Sequence, residues 1–116
     1  MSTEPTSIDT SLALVLTTAP DMVVAESLAS RIVEERLAAC VNLVPGVTSI
    51  FRWQDSIERD SEVLLLVKTT AEAVAALRDR IVALHPYDVP EVVALSASGG
   101  HAPYLEWVRG QVGGGK

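Results

Sequence analysis

Ala38-Ala39-Cys40-Val41-Asn42-Leu43-Val44-Pro45-Gly46-Val47-Thr48-Ser49-Ile50-Phe51-Arg52-Trp53 is a run of sixteen residues with the composition of extended chain. Strands usually run about five or six residues, whereas sixteen extended residues reach about 50 Å. Because that length exceeds the body of a small domain, we expect part of this stretch to project outward.

The middle of the stretch contains Pro45-Gly46. Proline removes a donor from the sheet and glycine permits an unusual φ, so this pair predicts a bulge or bend. Beyond it, alternate residues fall on one face: Val47, Ser49, Phe51 and Trp53. The polar residues 54–56 predict a turn, and residues 57–69 predict the returning hairpin strand. An exposed apolar hairpin favours a partner surface, so we interpret it as an assembly arm.

Composition narrows the class of protein. The 116 residues are 48% hydrophobic and 21% charged, which indicates one globular domain. A net charge of −6 disfavours binding to nucleic acid or to an anionic membrane. The single cysteine, Cys40, and the lack of a signal-like segment predict a cytoplasmic protein, and no apolar run approaches transmembrane length.

Two uninterrupted apolar runs, Leu12–Thr17 and Val63–Val67, predict central strands that are covered by protein on both faces or flanked by other strands in the centre of a sheet. A helix after the first run begins at a cap, Thr18 or Asp21, and extends to about Leu37. The form Thr69-x-x-Glu72 predicts a capping box for a second helix.

The second helix is expected to stop at His85-Pro86, because proline restricts the residue before it. Residues 92–95 predict a fourth strand, and residues 103–112 a terminal helix. The predicted fold is α+β, a ferredoxin-like split βαβ sandwich (βαββαβ plus a C-terminal helix) with the first and third strands innermost. We expect a single domain over residues 11–112, between flexible segments 1–10 and 113–116.

Titratable side chains concentrate between the second helix and the fourth strand, in residues 85–91. A histidine at a helix end also interacts with the helix dipole, so His85 has a structural interpretation beside a functional one. Cys40 has the alternative of a small buried apolar side chain. Without a recognisable phosphate loop, nucleophile elbow or Cys/His dyad, the sequence does not predict an enzyme.

Glu58, Asp60 and Glu62 alternate along the returning strand. They form either a carboxylate row for hard cations or a solvated hairpin face, and we favour the solvated face. Lys68, at the end of an apolar run, either meets an anion or reaches for water.

Several short blocks together resemble the CutA divalent-cation tolerance family, over about residues 12 to 109. The blocks are Thr18-Ala19-Pro20-Asp21, Leu37-Ala38-Ala39-Cys40-Val41-Asn42, Pro45-Gly46-Val47-Thr48-Ser49-Ile50, Ser61-Glu62-Val63, Lys68-Thr69, His85-Pro86-Tyr87, Pro90-Glu91 and Tyr104-x-x-Trp107. The resemblance implies a ferredoxin-like homotrimer, similar to PII signal proteins and without established catalysis.

The resemblance also implies where copper would bind. Proposed ligands in the family are a cysteine just before Thr-Ala-Pro-Asp and paired histidines before Pro-Tyr. This sequence has Thr17, Leu84 and His85 at those positions. One imidazole is a poor chelator, so we expect only weak binding of copper or another divalent cation, with His85 and Cys40 as candidate metal ligands.

Two functions therefore compete: a metal-binding tolerance protein, and a PII-like trimeric signalling or scaffold module that binds a small ligand between subunits. For the second, we predict an intersubunit pocket lined by family-matching polar residues at element ends. Its candidate ligand-binding residues are His85, Tyr87, Lys68, Glu62 and Trp53.

Overall fold

The computed structural model describes the backbone of residues 7–8 and the whole of residues 11–113. Six strands, three helices and a 3₁₀ turn make up this part: β1 Ser7–Ile8, β2 Leu12–Ala19, α1 Met22–Glu34, β3 Cys40–Trp53, β4 Ser56–Thr70, the 3₁₀ turn Ala71–Ala73, α2 Val74–Leu84, β5 Val93–Ser96, β6 Gly99–Gly100 and α3 Ala102–Gln111. The predicted flexible segments lie mostly outside the described residues, except that Ser7–Ile8 pairs with Gly99–Gly100. No local pattern in the sequence predicts that pairing.

The main sheet has the strand order β3-β4-β2-β5, and every neighbouring pair is antiparallel. The two strands with uninterrupted apolar runs, β2 and β4, are the inner pair, as predicted. With α1 and α2 filling the two crossovers, the order matches the split βαβ arrangement. The predicted α+β ferredoxin-like fold is therefore confirmed.

The core lies between this sheet and the helices α1 and α2. Alternate residues of β2 and β4 point into it because side chains along a strand alternate between faces. The central fully buried members are Val15, Leu65, Val67, Ile32, Leu77 and Ile81. Helix α3 packs separately, with Leu105 and Val108 against Leu12 and Ala39 at one end of the sheet.

The opposite face of the sheet is apolar too. Because paired residues share a face, the register places these side chains together: Leu14, Leu16, Val44, Leu64, Leu66, Val93 and Leu95. We call this set the open sheet face, since all seven are half-buried or exposed. Within the chain, α1 and α2 cover only one face of β2 and β4. Of the two predicted alternatives, these strands are therefore flanked in the centre of the sheet.

The predicted arm is present. Pairing between β2 and β4 ends at Ala19 and Val63, whereas β3 and β4 continue together from Val47 and Glu62 to the turn. A register shift between Val44 and Val47 marks the predicted bulge, with Gly46 at φ 76°. The described residues extend 56 Å in the longest direction.

The hairpin turn consists of Gln54 and Asp55, whose φ angles of 50° and 67° are both positive. Two such residues between paired strands are typical of a type I′ turn, whose twist matches the twist of the strands. The sequence did not indicate this turn type because glycine, the usual marker, is absent.

Asp21, one of the two predicted caps, is the N-cap of helix α1. Its side chain accepts a hydrogen bond from Val24 N–H at 2.9 Å. It ends at Glu34, earlier than predicted. Arg36 adopts φ 60°, Leu37 N–H donates to Ile32 O, and Arg36 N–H donates to Val33 O. This is a Schellman ending formed with arginine in place of glycine, which hid it in the sequence.

The predicted capping box at Thr69 is wrong. Thr70 is the capping residue, and its hydroxyl accepts from Ala73 N–H at 3.3 Å. Thr69 belongs to the buried side of β4, where its hydroxyl donates to Leu37 O at 2.7 Å. Neighbouring threonines point to opposite faces of a strand, so only one is able to reach the turn.

Candidate functional site

His85 is the C-cap residue that follows α2, and it lies almost fully buried beside the end of β2. Its Nε2 is 2.6 Å from the main-chain oxygen of Thr18, and its Nδ1 is 3.1 Å from the main-chain nitrogen of Tyr87. A carbonyl oxygen only accepts and an amide N–H only donates, so the ring is neutral and carries its proton on Nε2. Both ring nitrogens are thus occupied in holding the loop after α2 against the sheet.

Tyr87 connects this loop to the arm. Its hydroxyl donates a hydrogen bond to Glu62 Oε2 at 2.8 Å, and its ring centroid is 4.6 Å from that of His85. The pKa of Tyr87 is raised, first by burial, then by the hydrogen bond to Glu62, and then by the charges of Glu62, Asp60 and Asp21. Tyr87 is therefore a neutral donor in a negative field.

An open groove runs between the arm and the loop of residues 85–91, with a volume of about 660 Å³. We call it the arm groove. Among its lining residues are Trp53, Glu62 and Tyr87, three of the five predicted ligand-binding residues. His85 lies behind Tyr87 and positions it. A cleft of this size is typical of small-molecule sites.

Register explains why these side chains share one face. Phe51 pairs with Glu58, Ser49 with Asp60 and Val47 with Glu62. The carboxylate row predicted on the returning strand therefore shares a face with the aromatic residues of the outgoing strand. Glu58 and Asp60 are exposed, as expected of a solvated hairpin face, but Glu62 is only 8% exposed.

The arm groove also contains residues that the sequence did not single out as ligands. Phe51 enters through its pairing with Glu58, and Asp88 and Glu91 enter from the loop after α2. The concentration of titratable groups in residues 85–91 was a signal for the loop. Nothing local showed that this loop faces the arm.

Lys68 is not part of the arm groove within the chain. It lies six residues beyond Glu62 on β4, about 20 Å along an extended strand. Its ammonium group contacts the Asn42 amide oxygen and lies 3.6 Å from Cys40 Sγ. These three residues meet because Cys40 pairs with Lys68 and Asn42 with Leu66 on adjacent strands.

The side chain of Cys40 is half-buried, and polar groups surround it. The hydroxyl of Tyr104, on α3, is 3.5 Å from its sulfur. The hydrogen bond with Cys40, followed by burial and the charge of Cys40, raises the pKa of Tyr104 to about 12. The interpretation of Cys40 as a buried apolar side chain is therefore wrong, because α3 and Lys68 bring polar groups to it.

The two candidate metal ligands, His85 and Cys40, do not meet within the chain. Cys40 is in register with Lys68 and through it with Leu14, whereas His85 contacts Thr18, four residues further along β2. Four extended residues span about 13 Å, too far for one ion. In the described part of the chain, no three His, Cys, Asp or Glu side chains are arranged to hold a metal ion.

A family model described as "CutA1 divalent ion tolerance protein" matches residues 13–111 of this sequence. The chain belongs to the CutA1 divalent ion tolerance family. Its resemblance to CutA, carried by the short sequence blocks, is thereby confirmed.

Relatives with CutA names are similar to the chain over most of its length. The divalent-cation tolerance protein CutA of Thermus thermophilus is 55% identical over 86% of this chain and 97% of its own. Human protein CutA is 50% identical over 85% of this chain, which spans 55% of the longer human protein. The CutA1 structure from Thermus thermophilus matches with a TM-score of 0.86 at 54% identity, over 88% of this chain and 99% of its own.

The described part of the chain contains three α-helices, α1, α2 and α3. None of its helices over residues 11–113 combines the length and the apolar character needed to span a bilayer.

Proposed function

We propose that this protein acts in the divalent-cation tolerance for which its relatives are named. In this role it is a cytoplasmic homotrimer that binds ligands. In this proposal it is neither an enzyme nor a tight metal chelator. Divalent cations associate weakly, and the arm groove takes a small ligand.

The observation that carries the proposal is the bonding of His85. A metal ligand needs a free lone pair on a ring nitrogen, but Nε2 carries a proton directed at Thr18 O and the Nδ1 lone pair accepts from Tyr87 N–H. Copper or zinc would have to break one of these buried bonds to bind. Tight binding also takes three or four converging ligands, which His85 and Cys40 do not supply.

The open sheet face supports the homotrimer. A half-exposed apolar surface across four strands is costly in water, and β5, the edge strand beside it, is exposed along its length. The projecting arm supplies a second contact element. A ring of copies covers such a face when the sheet of each subunit packs against the next.

The groove favours the small-ligand function over tight chelation. It combines a cleft of about 660 Å³ with aromatic walls and polar groups, and a hydrogen bond joins two of its lining residues, Tyr87 and Glu62. Neither Cys40 nor Lys68 lines this groove.

Calorimetric titration with copper(II) and zinc at neutral pH tests the proposal. We expect only weak binding, and we expect His85→Ala and Cys40→Ser to change it little. As a positive control, Thr17→Cys combined with Leu84→His restores the ligand types that the family resemblance assigns to these positions, and should tighten copper binding. A stoichiometric, submicromolar site in the natural chain that either single substitution abolishes would overturn the proposal.

A further inference from the structure

A second groove lies on the helix side of the molecule, away from the open sheet face and the arm. It has a volume of about 370 Å³ and runs between α1 and the end of α2, with Leu84 and Pro86 on the α2 side. We call it the helix groove. It shares no lining residue with the arm groove, and the surfaces proposed for assembly do not include it.

The walls of the helix groove are mostly apolar. On the α1 side, Val24 and Leu28 follow at an interval of four residues, which places them on one face of the helix. Leu28 is buried, whereas Val23, at the start of α1, is 78% exposed. A ligand with an apolar body is favoured here because it removes such surface from water.

Among the described residues, Arg31 is the one charged side chain that lines the helix groove. It follows Ser27 by four residues, so the two polar side chains are neighbours on the surface of α1. Val23 precedes Arg31 by eight residues, about 12 Å along a helix. The groove therefore has an apolar end and a cationic end, which matches a ligand whose acid group terminates an apolar chain.

The guanidinium of Arg31 has unused donors. Its Nε is 3.5 Å from Glu35 Oε2, but both oxygens of that carboxylate accept hydrogen bonds of 2.8 Å from Arg80. The pKa of Glu35 is lowered first by the hydrogen bond from Arg80 and last by the charge of Arg31. The Arg31 side chain itself forms no hydrogen bond within the described part of the chain. Its parallel N–H groups are the fork that binds a carboxylate.

We propose that the helix groove binds an aliphatic monocarboxylic acid. The carboxylate pairs with Arg31, and the chain lies over Leu28 and Leu84 towards Val23. This site goes beyond the proposed function, because it lies outside the arm groove and needs neither a metal ion nor a partner subunit. The net charge of −6 does not prevent binding, since exposed charges more than about 8 Å away are largely screened at physiological ionic strength.

Titration with hexanoate, followed by amide chemical shifts in nuclear magnetic resonance, tests the site. We expect saturable shifts that concentrate at residues 23–31 and 84–86, whereas the residues of the arm should not shift. Octanoate should bind more tightly, by about fourfold for each additional methylene group that is buried. 1-Hexanol, which has the same number of carbons and no charge, should bind at least about tenfold more weakly than hexanoate.

A matched pair of variants tests the role of Arg31. Arg31→Gln should weaken hexanoate binding about tenfold, since the charge-assisted pair is lost. Arg78→Gln removes the same charge from a similarly exposed position on α2, outside the groove, and should change affinity by less than about twofold. Each arginine forms only an exposed ion pair within its own helix, so both variants should fold like the natural chain, which circular dichroism verifies.

Equal affinity for hexanoate and 1-hexanol would overturn the acid site, because it would show that the groove does not recognise the carboxylate. Equal weakening by the two variants, shifts centred outside the helix groove, or an absence of saturation would also overturn it. The copper titration addresses a different question. A tight copper site at His85 would overturn the proposed function and leave the acid site unaffected.

Discussion

Thr17 has the one buried side-chain oxygen or nitrogen in the described part of the chain that lacks a hydrogen-bond partner. It lies on β2, fully buried on the helix side of the sheet and opposite Leu65. Burying a hydroxyl without a partner costs roughly 1–3 kcal/mol. Valine has the same shape without the hydroxyl, so Thr17→Val should raise the free energy of unfolding by about 1–2 kcal/mol.

Thr69 is the matched control. It is equally buried, on the neighbouring strand β4, but its hydroxyl donates to Leu37 O at 2.7 Å. Thr69→Val removes this bond and takes a donor from the carbonyl, so it should lower the free energy of unfolding by about 1–2 kcal/mol. The same chemical change thus gives opposite signs in adjacent strands.

Urea denaturation followed by far-ultraviolet circular dichroism measures both variants. Protein concentration must be the same throughout, because association of subunits adds to the apparent stability. A loss of stability for Thr17→Val comparable to that for Thr69→Val would refute the reasoning. It would show that the Thr17 hydroxyl has a partner, such as a buried water.

Three further predictions concern pH, assembly and a helix end. The pKa of Tyr87 is raised in the folded state, so its contribution to the free energy of unfolding is present below the ordinary tyrosine pKa of about 10 and is lost as pH rises above it. In urea denaturation, Tyr87→Phe should reduce this loss of stability at alkaline pH. Light scattering at micromolar concentration should report a trimer. Leu66→Glu, on the open sheet face, should disrupt this trimer, and Trp53→Asp should weaken it by about 2 kcal/mol or more. A natural chain that is monomeric would contradict the roles of the open sheet face and of the arm in assembly. Arg36→Gly should raise the free energy of unfolding by about 1 kcal/mol, because glycine adopts φ 60° without strain. A lower free energy of unfolding would mean that the 3.3 Å hydrogen bond from the Arg36 side chain to Gln111 O stabilises the fold by more than the strain costs.

Local sequence pattern determined which segments are strands and helices and which strands are central. The uninterrupted apolar runs of β2 and β4 predicted the inner pair, because apolar side chains on both faces are typical of strands in the centre of a sheet. Pro45-Gly46 predicted the bulge, and His85-Pro86 predicted the end of α2, since both effects depend on the dihedral angles of adjacent residues.

Tertiary structure alone decided which polar side chains meet. Glu62 and Lys68 lie on one strand and resemble each other as site candidates in the sequence. Yet the path of the loop after α2 brings Tyr87 to Glu62, and α3 brings Tyr104 to Cys40 beside Lys68. Contacts between residues this far apart depend on strand register and loop course, which no local periodicity encodes.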